Sequence, residues 1–171
     1  MPPDTVVRRA VTVGDATEED LPQITAIWNH EVLWTDATTD TEPRDDGPAR
    51  EWLERHPASY PIVVAATGDA VLAFGSLSPY RPKPAFARTV EDSVYVERGH
   101  RRAGLGGLIL AELIRRARAH GHHSMVARVT SGNDASIRLH ARHGFGIVGV
   151  EREVAFKLGR WHDVTVMQLP L

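Results

Sequence analysis

Arg101-Arg102-Ala103-Gly104-Leu105-Gly106-Gly107-Leu108 is the stretch on which the fold turns. It stands between a strand-like run at 89–96 and the longest helical pattern, 105–119, where Leu108, Ile109, Leu113 and Ile114 keep helical spacing. Glycines at such a junction let backbone N–H groups turn inward, and a helix N-terminus adds partial positive charge, so the string suits a phosphate or pyrophosphate. Arg101 and Arg102 add full charges. No Gly-Lys-Ser/Thr follows, which argues against a nucleotide-triphosphate loop, and Ile109 stands where a dinucleotide motif needs its third glycine. On this string alone, a glycine-rich loop that only precedes a core helix remains the alternative.

Working outward, periodicity predicts a strand over 6–13 and then a helix capped by Asp20, with Pro22 in its first turn and Leu21, Ile24, Ile27 and Trp28 on one face. A long polar loop at 34–48 and a short helix at 49–55 follow. Strands at 62–66 and 71–77 form a hairpin, and prolines at 79, 82 and 84 forbid regular structure before the strand at 89–96. Beyond the long helix, which Gly121 stops, come a strand at 124–129, a helix at 135–143, a strand at 145–150 and a final pair about Gly159 and Arg160. The order β-α-α-β-β-β-α-β-α-β-β predicts a mixed α/β sheet with parallel pairs in its second half.

The chain has 171 residues, 42% of them hydrophobic, which suits a single domain over 1–171. Twenty Lys and Arg against 22 Asp and Glu give a net charge of −2, so no global field favours nucleic acid or an anionic membrane. Without cysteine there is no disulfide framework, thiolate nucleophile, Cys-ligated zinc or iron–sulfur cluster. No apolar run approaches the roughly 18 residues of a membrane span, and the expected location is the cytoplasm.

The Arg-x-x-Gly-x-Gly string ahead of a long helix, after Val94-Tyr95-Val96 and before Asn133, resembles the acetyl-CoA motif of the GNAT superfamily of N-acetyltransferases. The strings at 89–96, 133–140 and 156–164 (Phe-Lys-Leu-Gly-Arg-Trp-His-Asp-Val) are similar to its phosphinothricin and methionine sulfoximine N-acetyltransferase group over nearly the whole chain, and the 157–164 string is much the more specific. The resemblance implies the GNAT fold, an α/β (α+β) domain whose mixed central sheet has splayed parallel strands and flanking helices. It implies acetyl-CoA as co-substrate, direct attack of an amine on the thioester, no metal, and a homodimer. Carried over residue by residue, Val94, Tyr95 and Val96 line the pantetheine and thioester. Arg102, Ala103, Gly104, Leu105, Gly106 and Gly107 hold the pyrophosphate, Asn133 contacts the CoA arm, and the backbone N–H of Val94 faces the thioester oxygen.

An ammonium must lose a proton before it attacks, and Glu91 is the candidate base. Strand alternation puts Glu91, Ser93 and Tyr95 on one face and Asp92, Val94 and Val96 on the other, so Glu91 and Asp92 cannot form a dyad. Partial burial would raise the Glu91 carboxyl toward the working range; a solvated strand carboxylate is the bland alternative. His140, seven residues past Asn133, stands where many of the superfamily carry a tyrosine that protonates the leaving thiolate. It could supply that proton, polarise the site, or pack on the helix with its nitrogen satisfied by a carbonyl.

Acceptor specificity is expected from the 34–41 loop, from Pro84, Ala85 and Phe86, and from the C-terminal hairpin, with Glu91 also touching the substrate. Arg81, Lys83 and Arg88 are the nearest cations for an acceptor carboxylate. Where the group usually shows an asparagine and an aromatic, this chain has Thr38, Thr39 and Asp40 before Thr41-Glu42-Pro43, which bears on the preferred side chain. His120, His122 and His123 are better explained by the carbonyl end of a helix than by zinc. Trp28, Trp52 and Trp161 read as core or interface aromatics. The leading expectation is an acetyltransferase of the α-amino group of a small amino acid or analogue. Another amine (a polyamine, an aminoglycoside or a protein N-terminus) and a non-catalytic acyl-CoA sensor are the alternatives.

Overall fold

The structure, a computed structural model, describes residues 10–171. Its elements are β1 (Thr12–Asp15), α1 (Leu21–Trp34), α2 (Asp46–Glu54), β2 (Ile62–Thr67), β3 (Ala70–Pro79), β4 (Thr89–Val96), α3 (Leu105–Ala119), β5 (Ser124–Thr130), α4 (Asp134–Arg142), β6 (Gly146–Lys157) and β7 (Arg160–Pro170). This is the order expected. The strand expected at 6–13 appears as β1, later by several residues; positions 6–9 lie outside the described residues.

Seven strands form one sheet in the order β1-β2-β3-β4-β5-β7-β6. Among the described residues parallel pairing is confined to β4 and β5, and β7 returns antiparallel between β5 and β6. The expected plural parallel pairs reduce to one because α4 leads into a long hairpin strand at the sheet edge rather than back beside β5. That edge strand also runs to Lys157 instead of ending at 150. The register shifts between Ile147 and Gly149 and again between Glu151 and Ala155, and Glu153 adopts φ +46. The inward–outward alternation that announces a strand is thereby erased. Leu158 and Gly159 both have positive φ (51° and 77°), as the two-residue turn of a right-twisted hairpin requires.

Two apolar clusters cover the faces of the sheet. On one, α3 packs Ile109, Leu110 and Leu113 against Val63, Ala73, Val90 and Met125. A Cβ at Gly75 would stand 2.4 Å from the Ile109 side chain and 2.8 Å from the Ser93 carbonyl, so glycine lets the helix sit that close. On the other face, α1 brings Ile24, Ile27, Trp28 and Val32 onto Val64, Val71 and Phe74. The two helices thus grip the middle of the sheet and hold β4 from both sides.

Candidate active site

Thr89, Val90 and Glu91 of β4 lie beside Ser124, Met125 and Val126 of β5, and there the pairing stops. Both strands continue, β4 held by β3 as far as Val96 and β5 held by β7 as far as Thr130. Each is fixed by its outer neighbour, so their inner edges part. A cleft of about 830 Å³ occupies the gap, lined by residues 92–96 on one wall and 127–129 on the other. Unpaired strand edges present N–H and C=O groups to an extended, amide-bearing ligand.

The cleft runs to the N-terminus of α3. Arg102 and Gly104 take positive φ (66° and 81°), which swings the chain into the helix, and the Gly107 and Leu108 N–H groups bond back to the Gly104 carbonyl at 3.0 and 3.2 Å. Ahead of these two bonds stand the N–H groups of Leu105 and Gly106, at the helix's positive end, where a helix offers donors to a ligand. A Cβ at Gly106 would lie 3.3 Å from Leu139 and 3.6 Å from Val96, so glycine keeps this turn against β4 and α4. Arg101, Arg102, Arg138 and Arg142 also line the cleft. Backbone donors, positive charge and an open strand edge in one cleft fit a diphosphate with an amide arm.

Of the residues expected to hold that arm, Val94, Val96, Arg102, Gly104, Leu105, Gly106, Gly107 and Asn133 line the cleft, whereas Ala103 does not. Leu105 is buried in the core cluster, so its N–H is what it has to offer a phosphate. Asn133 caps α4 by accepting from the Ser136 N–H at 3.2 Å. Tyr95 also borders the cleft, but its ring packs the other way, 5.2 Å from Trp28 and 5.1 Å from Phe74. Burial pushes its hydroxyl up to about 12, so it remains a neutral phenol.

Glu91 is the last residue of β4 paired with β5, and its side chain faces the α1 side of the sheet. It sits at the closed end of the gap rather than among the residues lining it. Burial raises its carboxyl above the ordinary value, Arg128 pulls it back, and Asp92 and Glu151 push it further up. Pro84, Ala85 and Phe86 form a short turn before β4, where Phe86 meets Tyr80 edge-on at 5.7 Å; they too lie outside the cleft lining.

On the opposite face of β4, Asp92 and His140 form a pair that strand and helix spacing do not reveal. His140 Nε2 lies 2.9 Å from Asp92 Oδ2 and Nδ1 lies 2.8 Å from the Ser136 carbonyl, with both side chains at most 5% exposed. Burial works against charge on the ring, but the Asp92 bond and attraction and the Ser136 carbonyl together hold its pKa above the usual histidine value. Both nitrogens face acceptors, which is the pattern of an imidazolium with its protons committed. The packed arrangement with a carbonyl satisfying one nitrogen is therefore present, with a carboxylate on the other.

The 157–164 string finds its place at residues 35–40. The ammonium of Lys157, a residue 5% exposed, donates to the Thr38 carbonyl at 2.7 Å and the Glu31 carbonyl at 3.2 Å. Burial lowers its pKa, opposed by Asp40, Asp36 and Glu31. Arg160 donates to Asp36 at 2.7 Å, His162 bonds the Lys157 carbonyl at 3.0 Å, and the Thr130 hydroxyl donates to the Asp36 carbonyl. The buried Glu31 carboxylate accepts from Arg101 at 2.6 Å and from the Thr35 hydroxyl at 2.7 Å. One polar network thus joins the hairpin, the end of α1, the 35–40 loop and the glycine turn. Glu31 carries no signal in the sequence, because a glutamate near a helix end is ordinarily solvated.

Among the described residues no three His, Cys, Asp or Glu side chains are grouped to hold a metal, and His122 instead bonds the Ser59 carbonyl at 2.8 Å. No helix among them is long and apolar enough to cross a membrane.

The profile of the acetyltransferase (GNAT) family matches residues 25–145. An L-methionine sulfoximine/L-methionine sulfone acetyltransferase of Pseudomonas aeruginosa is 46% identical, with 95% of each chain covered. A phosphinothricin N-acetyltransferase of Streptomyces coelicolor is 42% identical, covering 94% of this chain and 96% of that one. A putative acetyltransferase from Salmonella typhimurium, solved with its cofactor acetyl-CoA, superimposes with a TM-score of 0.91 at 40% identity, over 95% of this chain and 94% of that one. The chain belongs to the acetyltransferase (GNAT) family and is, with it, an acetyl-CoA-dependent N-acetyltransferase.

Proposed function

We propose that the protein transfers acetyl from acetyl-CoA to the α-amino group of a small amino acid or amino-acid analogue, of the phosphinothricin, methionine sulfoximine or methionine sulfone kind. The observation that carries the donor is the parting of β4 and β5 immediately past Glu91, with the glycine turn at the cleft's far end, and the acceptor class is supported by the amino-acid acetyltransferases to which the chain is similar. A thioester arm laid along the β4 edge brings its carbonyl toward the Val94 N–H, a fixed donor for the charge that grows on oxygen in the transition state.

Glu91 takes the proton from the acceptor ammonium, directly or through one water. Its raised pKa suits a base that must work near neutral pH. The amine then forms the new N–C bond, the tetrahedral carbon collapses, and the C–S bond breaks to release the thiolate of CoA. His140 has both ring nitrogens bonded within the protein, so we assign it to positioning: it fixes Asp92 and the cleft wall beside the thioester. The thiolate draws its proton from the attacking nitrogen or from water, since a thiol pKa near 8.5 makes that transfer undemanding.

The test is release of free CoA thiol with acetyl-CoA and a panel of L-methionine sulfone, L-methionine sulfoximine, phosphinothricin, spermidine and an alanine-initiated peptide. The reading expects turnover with the small amino acids. Turnover confined to spermidine or the peptide overturns it, and so does binding of acetyl-CoA with no turnover on any of the small amino acids.

A further inference from the structure

Arg128 lies on β5 two residues past Val126, the last residue that β5 pairs with β4. Strand alternation therefore puts its side chain on the face of Val126 and Glu91, at the level where the gap has opened, and it lines the cleft. Its guanidinium is braced from across β7. Arg128 Nη2 and Nη1 meet the two carboxylate oxygens of Glu151 on β6, each strand being in register with β7 at Val166 and Val164. An arginine fork carries five N–H donors, and one carboxylate occupies at most two.

As a cross-strand surface pair, 32% and 39% exposed, Arg128 and Glu151 would contribute little to stability. What sets the pair apart is its position. Glu91 and Arg128 thus project from the same face of two neighbouring strands, at the point where these part. A base and a cation so placed match a zwitterion whose ammonium and carboxylate share one carbon. The electrostatics agree, because Glu91 feels the Arg128 charge. The cations that the sequence offers for binding a carboxylate are placed otherwise. Arg88 donates from Nε and Nη2 to the Gly121 carbonyl at 2.9 and 2.7 Å, beyond the C-terminus of α3, and Arg81 lies over the Tyr80 and Phe86 rings. Neither they nor Lys83 line the cleft.

We propose that Arg128, braced by Glu151, receives the α-carboxylate of the acceptor and so presents its amine to Glu91. This rests on the acceptor class proposed above and adds the residue that enforces it. It makes the enzyme selective for free amino acids over amines lacking an adjacent carboxylate, and under it Glu151 holds the fork in place without filling it.

The experiment compares kcat/KM for L-methionine sulfone and for its α-carboxamide in the intact protein, R128A and E151Q. Losing a hydrogen-bonded charge pair to the substrate lowers the acid-to-amide ratio in R128A by roughly 10- to 100-fold. E151Q keeps the guanidinium and frees its fork, so the ratio there is held or rises. An unchanged ratio in R128A overturns the inference, and so does an equal fall in E151Q, which would mark the pair as structural. If the intact protein acetylates no α-amino acid, the functional reading itself falls and the inference with it. If it acetylates the acid and R128A treats acid and amide as the intact protein does, the inference alone falls.

Discussion

On the co-substrate side of the cleft the groups that face inward are mostly backbone: the parted edges of β4 and β5 and the first turn of α3, with glycine at 104, 106 and 107. On the side that we assign to the acceptor, the walls are held by side chains drawn from distant stretches. Lys157 holds Thr38 and Glu31, Arg160 holds Asp36, and Arg128 meets Glu151 beside Glu91. A site made of backbone depends on where the chain can go, and so on glycine and strand register. A site made of side chains depends on long-range pairs that single substitutions can rewrite. One half is therefore suited to an unchanging ligand, the other to a ligand that differs among relatives.

The largest effect is expected at Glu91, where the two halves meet. E91Q keeps the shape and removes the proton acceptor. Turnover at neutral pH is expected to fall by roughly 10²–10⁴, with acetyl-CoA affinity retained, in a thiol-release assay combined with calorimetry. Equal turnover with chemistry rate-limiting would remove Glu91 from the role.

Next is the backbone half. G104V asks a β-branched residue to adopt φ +81 at the start of α3, a conformation that costs an ordinary L-residue roughly 1–2 kcal/mol and a β-branched one more. The KM for acetyl-CoA is expected to rise by about 10-fold or more, while the KM for the acceptor moves little.

The side-chain half should answer in the opposite sense. K157M leaves the Thr38 and Glu31 carbonyls without their buried donor, a loss of roughly 1–3 kcal/mol. The acceptor KM is expected to rise more than that for acetyl-CoA, and the denaturation midpoint to drop. A rise confined to acetyl-CoA would mean that the hairpin serves the glycine turn through Glu31 and Arg101 instead.

The smallest effect concerns pH. His140 has a raised native pKa, so its contribution to stability is full below the unfolded value of about 6.5 and is lost as pH rises through the native value. Glu91, also raised, loses stability on ionising, in a window that begins lower, near the ordinary carboxyl value. Denaturant midpoints of the intact protein and of a D92N/H140L variant, followed across pH, should differ in slope chiefly in the histidine window, with a smaller difference where Glu91 ionises, because Asp92 also pushes that carboxyl up.

What is legible in the sequence follows the same division. Element order, α3 with its glycine turn, and the opposed faces of Glu91 and Asp92 come from local periodicity, and local periodicity is what a backbone-built site needs. The strings from 89 to 164 also carry the family. The Asp92–His140 pair spans 48 positions and the Lys157 bonds span 119 and 126, separations on which no local pattern bears. Strand β6 reads as ending at 150 because its bulges and its place at the sheet edge destroy alternation. The single parallel pair is likewise hidden, since strand direction is decided by how the connections cross the sheet and not by the strands' own residues.

The decisive measurement is a crystal structure with a non-hydrolysable acetyl-CoA analogue. The diphosphate is expected on the first turn of α3, the arm along the β4 edge, and the thioester oxygen about 3 Å from the Val94 N–H, with its acyl carbon on the side of Glu91. An analogue bound away from the gap between β4 and β5, or an acyl group directed away from Glu91, would contradict this arrangement.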